Sequence, residues 1–145
     1  MKFIKDFIFV IPARKGSKGI KNKNIIKIKN KTLIEYTFET LKKISKYRKF
    51  LISDSKKIKK IADKYEINTE YKRHRELSKD NTMLIDNLIH FDKFIDDKIK
   101  FQHYVILQPT SPLRKYNDII GAIKIYLKKN SYSLFSISPS LEHPN

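Results

Sequence analysis

Between residues 7 and 127, short apolar runs rich in branched side chains alternate with longer stretches whose apolar residues recur every three or four positions. That alternation is the strongest constraint on the fold, because continuous or period-2 apolar runs suit strands and a 3.6-residue period suits helices. Strands are expected at Phe7 to Ile11, Phe50 to Ser53, Asn68 to Tyr71, His103 to Leu107 and Ser133 to Ile137. Leu33 to Ile44 has amphipathic helical spacing, and Ile58, Ile61, Ala62 and Tyr65 mark a second helix with Asp54 or Ser55 as its N-cap. Leu84, Ile85, Leu88, Ile89, Phe91 and Ile95 mark a third; Ile119, Ile120, Ile123 and Leu127 mark a fourth, begun by Asn117 or Asp118. The pattern predicts an α/β fold with a mostly parallel sheet and helices on both faces. Right-handed crossovers bring the loops that follow strands to one edge, where such sheets bind ligands. The loops Pro12 to Asn24 and Gln108 to Lys115 are therefore expected to open together.

The first of these loops is chemically distinctive. IPARKGSKGIKNKN, Ile11 to Asn24, packs Arg14, Lys15, Lys18, Lys21 and Lys23 around Gly16 and Gly19. A strand that opens into a cation-rich, glycine-containing loop can direct backbone N–H groups and positive side chains at one point, as a polyphosphate requires. Neither GxxxxGK[ST] nor GxGxxG is present, so this is another phosphate-binding design.

Length and composition narrow the rest. A chain of 145 residues is one domain's worth, and it contains no Cys, which excludes a disulfide framework and thiolate metal sites and suits a reducing cytoplasm. No apolar stretch approaches the ~18 residues of a membrane span. The first apolar run, interrupted by Asp6, reads as a strand and not as a signal peptide. The net charge of +17 comes from 27 Lys and 5 Arg spread through every segment, a pattern of solvated faces and not of a nucleic-acid surface. An acidic substrate would still be drawn by that field. The four His residues, at 74, 90, 103 and 143, lack metal-ligand spacing, and His90 reads as a core residue of the third helix.

Three segments together carry a family resemblance. The loop IPARKGSKGIKNKN, the segment RHRELSKDNT (Arg73 to Thr82) and LQPTSPLR (Leu107 to Arg114) resemble, in order and spacing, the nucleotide loop, second nucleotide segment and sugar loop of the CMP-sialic acid synthetases, or acylneuraminate cytidylyltransferases. The resemblance implies a Rossmann-like fold of the nucleotide-diphospho-sugar transferase type. It implies CTP and an acidic nine-carbon sugar as partners, a homodimer at full length, and no nucleic acid or membrane.

It also implies residue roles. Arg14, Lys18 and Lys23, with Ser17, fall to the triphosphate, and Asn24 to the nucleotide's ribose. Arg73, Thr82 and Leu84 fall to the cytosine, which offers acceptors at O2 and N3 and a donor at N4. Gln108, Ser111 and Arg114 fall to the sugar acid or to the shape of its loop, which Pro109 and Pro112 stiffen. The other readings are a solvated basic turn for the first loop, an Arg73 to Glu76 surface pair for the second, and a plain strand-to-helix turn for the third. Lys15, Lys21, Lys27, Lys29 and Lys31 read as surface charge. Lys21 stands where the family usually has Pro, which frees φ in the loop but removes no phosphate ligand. Asp54 matches a family Asp and reads equally as a helix cap.

The resemblance implies sequence beyond Asn145: more of the sugar site, a dimerisation segment and the carboxylates that hold Mg²⁺. On that reading residues 1–145 are a single nucleotide-binding domain lacking its carboxyl-terminal part, with no metal ligand and no nameable general base. The expected reaction joins CTP to a sialic- or legionaminic-type acid, releasing pyrophosphate. The alternatives are a CMP-octulosonate (Kdo) or other sugar-nucleotide synthetase, or a truncated, noncatalytic nucleotide-binding remnant.

Overall fold

The computed structural model describes residues 2–16, 19–74, 76–78, 81–96 and 98–137. They fall into two compact units, residues 1–113 and 114–145.

In the first unit a short 3-10 turn leads into β1 (Phe7–Pro12). A two-stranded antiparallel ribbon follows, β2 (Lys27–Ile28) against β3 (Lys31–Thr32). Next come α1 (Leu33–Thr40), β4 (Lys49–Ile52), α2 (Lys56–Asp63), α3 (Leu84–Ile95) and β5 (His103–Ile106). The main sheet is parallel, in the order β4-β1-β5, with Pro12 opposite Ile52 and Val10 opposite Ile106. The α/β, parallel-sheet expectation therefore holds.

β1 and β4 are near-continuous apolar runs because a central parallel sheet is covered on both faces. Ile8, Val10, Phe50 and Ile52 share one face and pack with Tyr71, Leu88, Phe91 and Ile95. Phe7, Phe9, Ile11 and Leu51 alternate to the opposite face and are equally buried. α1 buries Leu33, Ile34, Thr37 and Phe38, as its spacing predicted. Its N-terminus is set by Glu35, whose Oε2 accepts from the Thr32 N–H at 2.6 Å and the Thr32 hydroxyl at 2.7 Å. α1 ends at Thr40, short of the expected Ile44, because the chain tightens into i→i−3 bonds from Leu41, Lys42 and Ile44 while keeping Leu41 and Ile44 buried.

The expected strand at Asn68 to Tyr71 is not formed. Asn68 makes one parallel bridge to Phe50, and the carbonyls of Thr69 and Tyr71 accept instead from Lys59 Nζ, at 3.1 and 3.0 Å. A lysine on α2 thus satisfies backbone groups that a neighbouring strand would otherwise have taken. His90 is exposed, not a core residue: it meets the Tyr71 hydroxyl through Nδ1 at 2.9 Å and lines a surface groove with His74, Glu76 and Lys93.

In the second unit, α4 (Tyr116–Lys128) buries Ile119, Ile120 and Ile123. It starts just before the expected Asn117 or Asp118, with the Asp118 carboxylate accepting the Lys115 N–H at 2.9 Å. The strand expected at Ser133 to Ile137 is absent; the segment is irregular, with Phe135 84% and Ile137 95% exposed.

Among the described residues, four that are not glycine have left-handed φ: Asn22, Lys29, Glu66 and Asn130. The glycines have none.

Candidate functional site

The carboxyl ends of β1, β4 and β5 lie side by side, so the segments that leave them share one edge of the sheet. The Ala13 N–H donates to Ile52 O at 2.9 Å and the Leu107 N–H to Val10 O at 2.9 Å, carrying the sheet's bonding to its last residues. Beyond it stand Arg14, Asp54 and Gln108.

Arg14 is half-buried, and its carbonyl accepts from Asn24 Nδ2 at 3.2 Å. Asn24 is itself 8% exposed, on a 3-10 turn that begins at Lys23. The amide expected at the ribose thus braces the loop from within. Lys23 is half-buried on the same turn. Ser17 and Lys18 lie outside the described residues.

Asp54 is the site residue whose role the sequence left undecided. Ser55, not Asp54, caps α2, its hydroxyl accepting the Ile58 N–H at 3.3 Å. The Asp54 carboxylate accepts the Lys15 N–H instead, at 2.7 Å. The signal was the flanking pair Ser53 and Ser55 in LISDS, either of which could serve the turn and leave the acid for another partner.

Arg73 joins this group. Burial pulls its guanidinium below its ordinary pKa, the Asp54 carboxylate opposes that shift, and the neighbouring Arg14 charge adds to it. Two arginines and an aspartate from three separate segments therefore share one electrostatic environment. Arg73 does not pair with Glu76. Its Nε and Nη2 donate to the Leu77 carbonyl at 3.0 and 2.6 Å, and Asn87 Nδ2 donates to the same oxygen at 3.3 Å. Thr82 donates its hydroxyl to Glu76 O at 3.2 Å, ahead of α3. Leu84, the first residue of α3, packs against the core cluster.

Gln108 leaves β5 exposed, the next residue Pro109 is buried, and the Ser111 N–H donates to Gln108 O at 3.4 Å. Gln108 and Ser111 are thus held in a compact turn on the strand next to β1. Arg114 belongs to the second unit, where burial lowers its pKa.

A cation pair balanced by one carboxylate, at the edge where parallel sheets bind ligands, suits a polyanion. Among the described residues no group of three or more His, Asp or Glu is arranged to hold a metal ion.

A family model described as cytidylyltransferase matches residues 8–142. The chain belongs to the cytidylyltransferase family. It is 33% identical over 126 residues to an N-acylneuraminate cytidylyltransferase of Escherichia coli O18:K1:H7, covering 86% of this chain and 29% of that protein. It is 35% identical over 132 residues to the CMP-N,N'-diacetyllegionaminic acid synthase of Legionella pneumophila, covering 90% of this chain and 56% of that protein. The chain thus spans well under two thirds of either relative's length. The fold is shared with a CMP:2-keto-3-deoxy-manno-octonic acid synthetase solved in complex with CTP, at a TM-score of 0.67 and 18% identity, covering 86% of this chain and 48% of that one. A cytidylyltransferase from Leptospira borgpetersenii superposes at a TM-score of 0.65, with 19% identity.

Proposed function

We propose that this cytidylyltransferase-family chain carries the nucleotide site of an enzyme that activates an acidic nonulosonic sugar with CTP, giving the CMP-sugar and pyrophosphate. The observation that carries the reading is the grouping of Arg14, Asp54 and Arg73 at the carboxyl edge of the sheet. Arg14, with Lys18, Lys23 and Ser17, would hold the triphosphate. Asn24 would hold the ribose as well as the loop. Arg73, Thr82 and Leu84 belong to the turn that would read the cytosine. Gln108, Ser111 and Arg114 are assigned to the sugar acid, and the names of the relatives, an N-acylneuraminate cytidylyltransferase and a diacetyllegionaminic acid synthase, favour sialic or legionaminic types.

In the reaction the anomeric hydroxyl oxygen forms a bond to the α-phosphorus as the bond from that phosphorus to the oxygen bridging it to the β-phosphate breaks, and the hydroxyl proton passes to water. Negative charge builds on the leaving pyrophosphate, so fixed cations there stabilise the transition state more than the ground state. Mg²⁺, held by carboxylates of the longer family members, a homodimer and a cytoplasmic setting belong to the same proposal. Among the described residues no helix is long and apolar enough to cross a membrane.

Calorimetry with CTP and ATP tests the nucleotide assignment, and pyrophosphate release from CTP with sialic, legionaminic, pseudaminic and octulosonic acids tests the sugar. The expected result is tighter CTP than ATP, and turnover, where it occurs, greatest with the first two acids. Equal affinity for the two nucleotides overturns the reading. Tight CTP binding with no turnover in any length of the protein would establish a noncatalytic binding module instead.

A further inference from the structure

The Arg14 carbonyl and the Lys15 N–H are the two ends of one peptide group, and the structure grips both. Asn24 Nδ2 donates to the carbonyl at 3.2 Å, and Asp54 Oδ1 accepts from the N–H at 2.7 Å. The plane of that peptide fixes ψ of Arg14 and φ of Lys15, and with them the direction in which the Arg14 side chain leaves the loop. We propose that Asp54 is a positioning residue of the nucleotide site, which clamps the peptide between Arg14 and Lys15 against Asn24 and so presets Arg14 for the triphosphate. The inference rests on the reading of Arg14 as a triphosphate contact.

Asp54 is built for such a role. The preceding Ser53 is 1% exposed and its hydroxyl accepts the Ser55 N–H at 3.1 Å, while Ser55 is 6% exposed and caps α2. The turn is therefore pinned on both sides of Asp54, whose own side chain is needed neither for the turn nor for the helix. On the loop side, sheet bonding ends with the Ala13 N–H to Ile52 O bond, two residues before Lys15. The carboxylate extends that ladder by one further bond, beyond the reach of the β4 backbone. An ionised acceptor for a backbone N–H makes a bond roughly twice as strong as a neutral one. The charge of the same carboxylate favours the Arg73 guanidinium and opposes the unfavourable effect of Arg14 on it.

The test compares Asp54→Ala, which removes the acceptor, with Asp54→Asn, which keeps an oxygen for the Lys15 N–H but removes the charge. With circular dichroism and melting midpoint confirming the fold, Asp54→Ala is expected to weaken CTP about tenfold and CMP less than about twofold, as for one lost charge-assisted bond felt through the outer phosphates. Asp54→Asn is expected to stay within about threefold of wild type for CTP, the neutral bond retaining part of the hold. Unchanged CTP affinity in Asp54→Ala, equal losses for CTP and CMP, or an Asp54→Asn loss as large as that of Asp54→Ala overturns the proposal. Amide hydrogen exchange at Lys15 in the nucleotide-free protein judges the clamp independently of function. Faster exchange in Asp54→Ala supports the clamp, and unchanged exchange overturns it, even if wild type binds no CTP and the functional reading fails.

Discussion

Arg73 spends two guanidinium N–H groups on a single acceptor, the Leu77 carbonyl, which fixes the turn that follows it. Arg73→Ala is expected to loosen that turn and to weaken CTP by about 1.5 to 3 kcal/mol, the range for a charged hydrogen bond. Arg73→Lys cannot make the same fork and is expected to restore less than half of the loss. Calorimetry with CTP and ATP checks both, and a loss shared equally by the two nucleotides would separate Arg73 from base recognition.

Arg14→Ala is expected to weaken CTP far more than CMP, because its partners are assigned to the phosphates that CMP lacks. Uniform losses would place Arg14 near the base or ribose. Raising the salt concentration should narrow the difference between CTP and CMP in wild type, and narrow it by less in the variant, which keeps the cations assigned at Lys18 and Lys23.

Gly16 has no left-handed φ and nothing within 4 Å of where a Cβ would stand. Gly16→Ala should therefore melt no lower than wild type. A fall in CTP affinity in that stable variant would mark the open space as the place where phosphate approaches the backbone. Unchanged affinity would put the nucleotide elsewhere on the loop.

Lys59 and Lys49 make opposed predictions. Burial lowers the pKa of Lys59, yet its two carbonyl bonds hold residues 69–71. Lys59→Met should cost about 1 to 2 kcal/mol by leaving two acceptors unpaired. Lys49 is 1% exposed, burial lowers its pKa, and Nζ donates to the Tyr65 carbonyl at 3.1 Å. Lys49→Met removes a buried charge and is expected to stabilise by about 1 kcal/mol near neutral pH. A base whose folded pKa lies below its unfolded 10.5 binds fewer protons when folded, so wild-type stability should rise with pH from the folded value to 10.5. Urea melts at several pH values should show a smaller rise in Lys49→Met than in wild type, the remainder coming from Lys59, whose pKa is also lowered.

The apolar periodicity of β1, β4 and all four helices was legible in the sequence, because those segments bury continuous or periodic faces whatever their partners; β5 was legible too, although its residues are only half-buried and Ile106 is exposed. Asn68 to Tyr71 and Ser133 to Ile137 looked equally strand-like, but a strand exists only where a neighbour pairs with it. Lys59 took the carbonyls of the first, and the second is largely exposed. For the site, the loop chemistry singled out Arg14, and the family resemblance singled out Arg73. Sequence order could not tell that Ser55 would take the cap and release Asp54, since both residues are competent caps and the choice depends on which one faces Ile58.

The left-handed positions at Lys29 and Glu66 point to the coding sequence behind this protein. Glycine codons begin with two guanines, whereas those of lysine and asparagine begin with two adenines, and the chain holds 3 Gly against 27 Lys. A genome drifting toward A and T would exclude glycine from turns that favour it, leaving Asn22 and Asn130 as tolerable substitutes and Lys29 and Glu66 as strained ones, at roughly 1 kcal/mol each. Restoring Gly at Lys29 and Glu66 would show how much thermal resistance that mutational bias has taken from the protein.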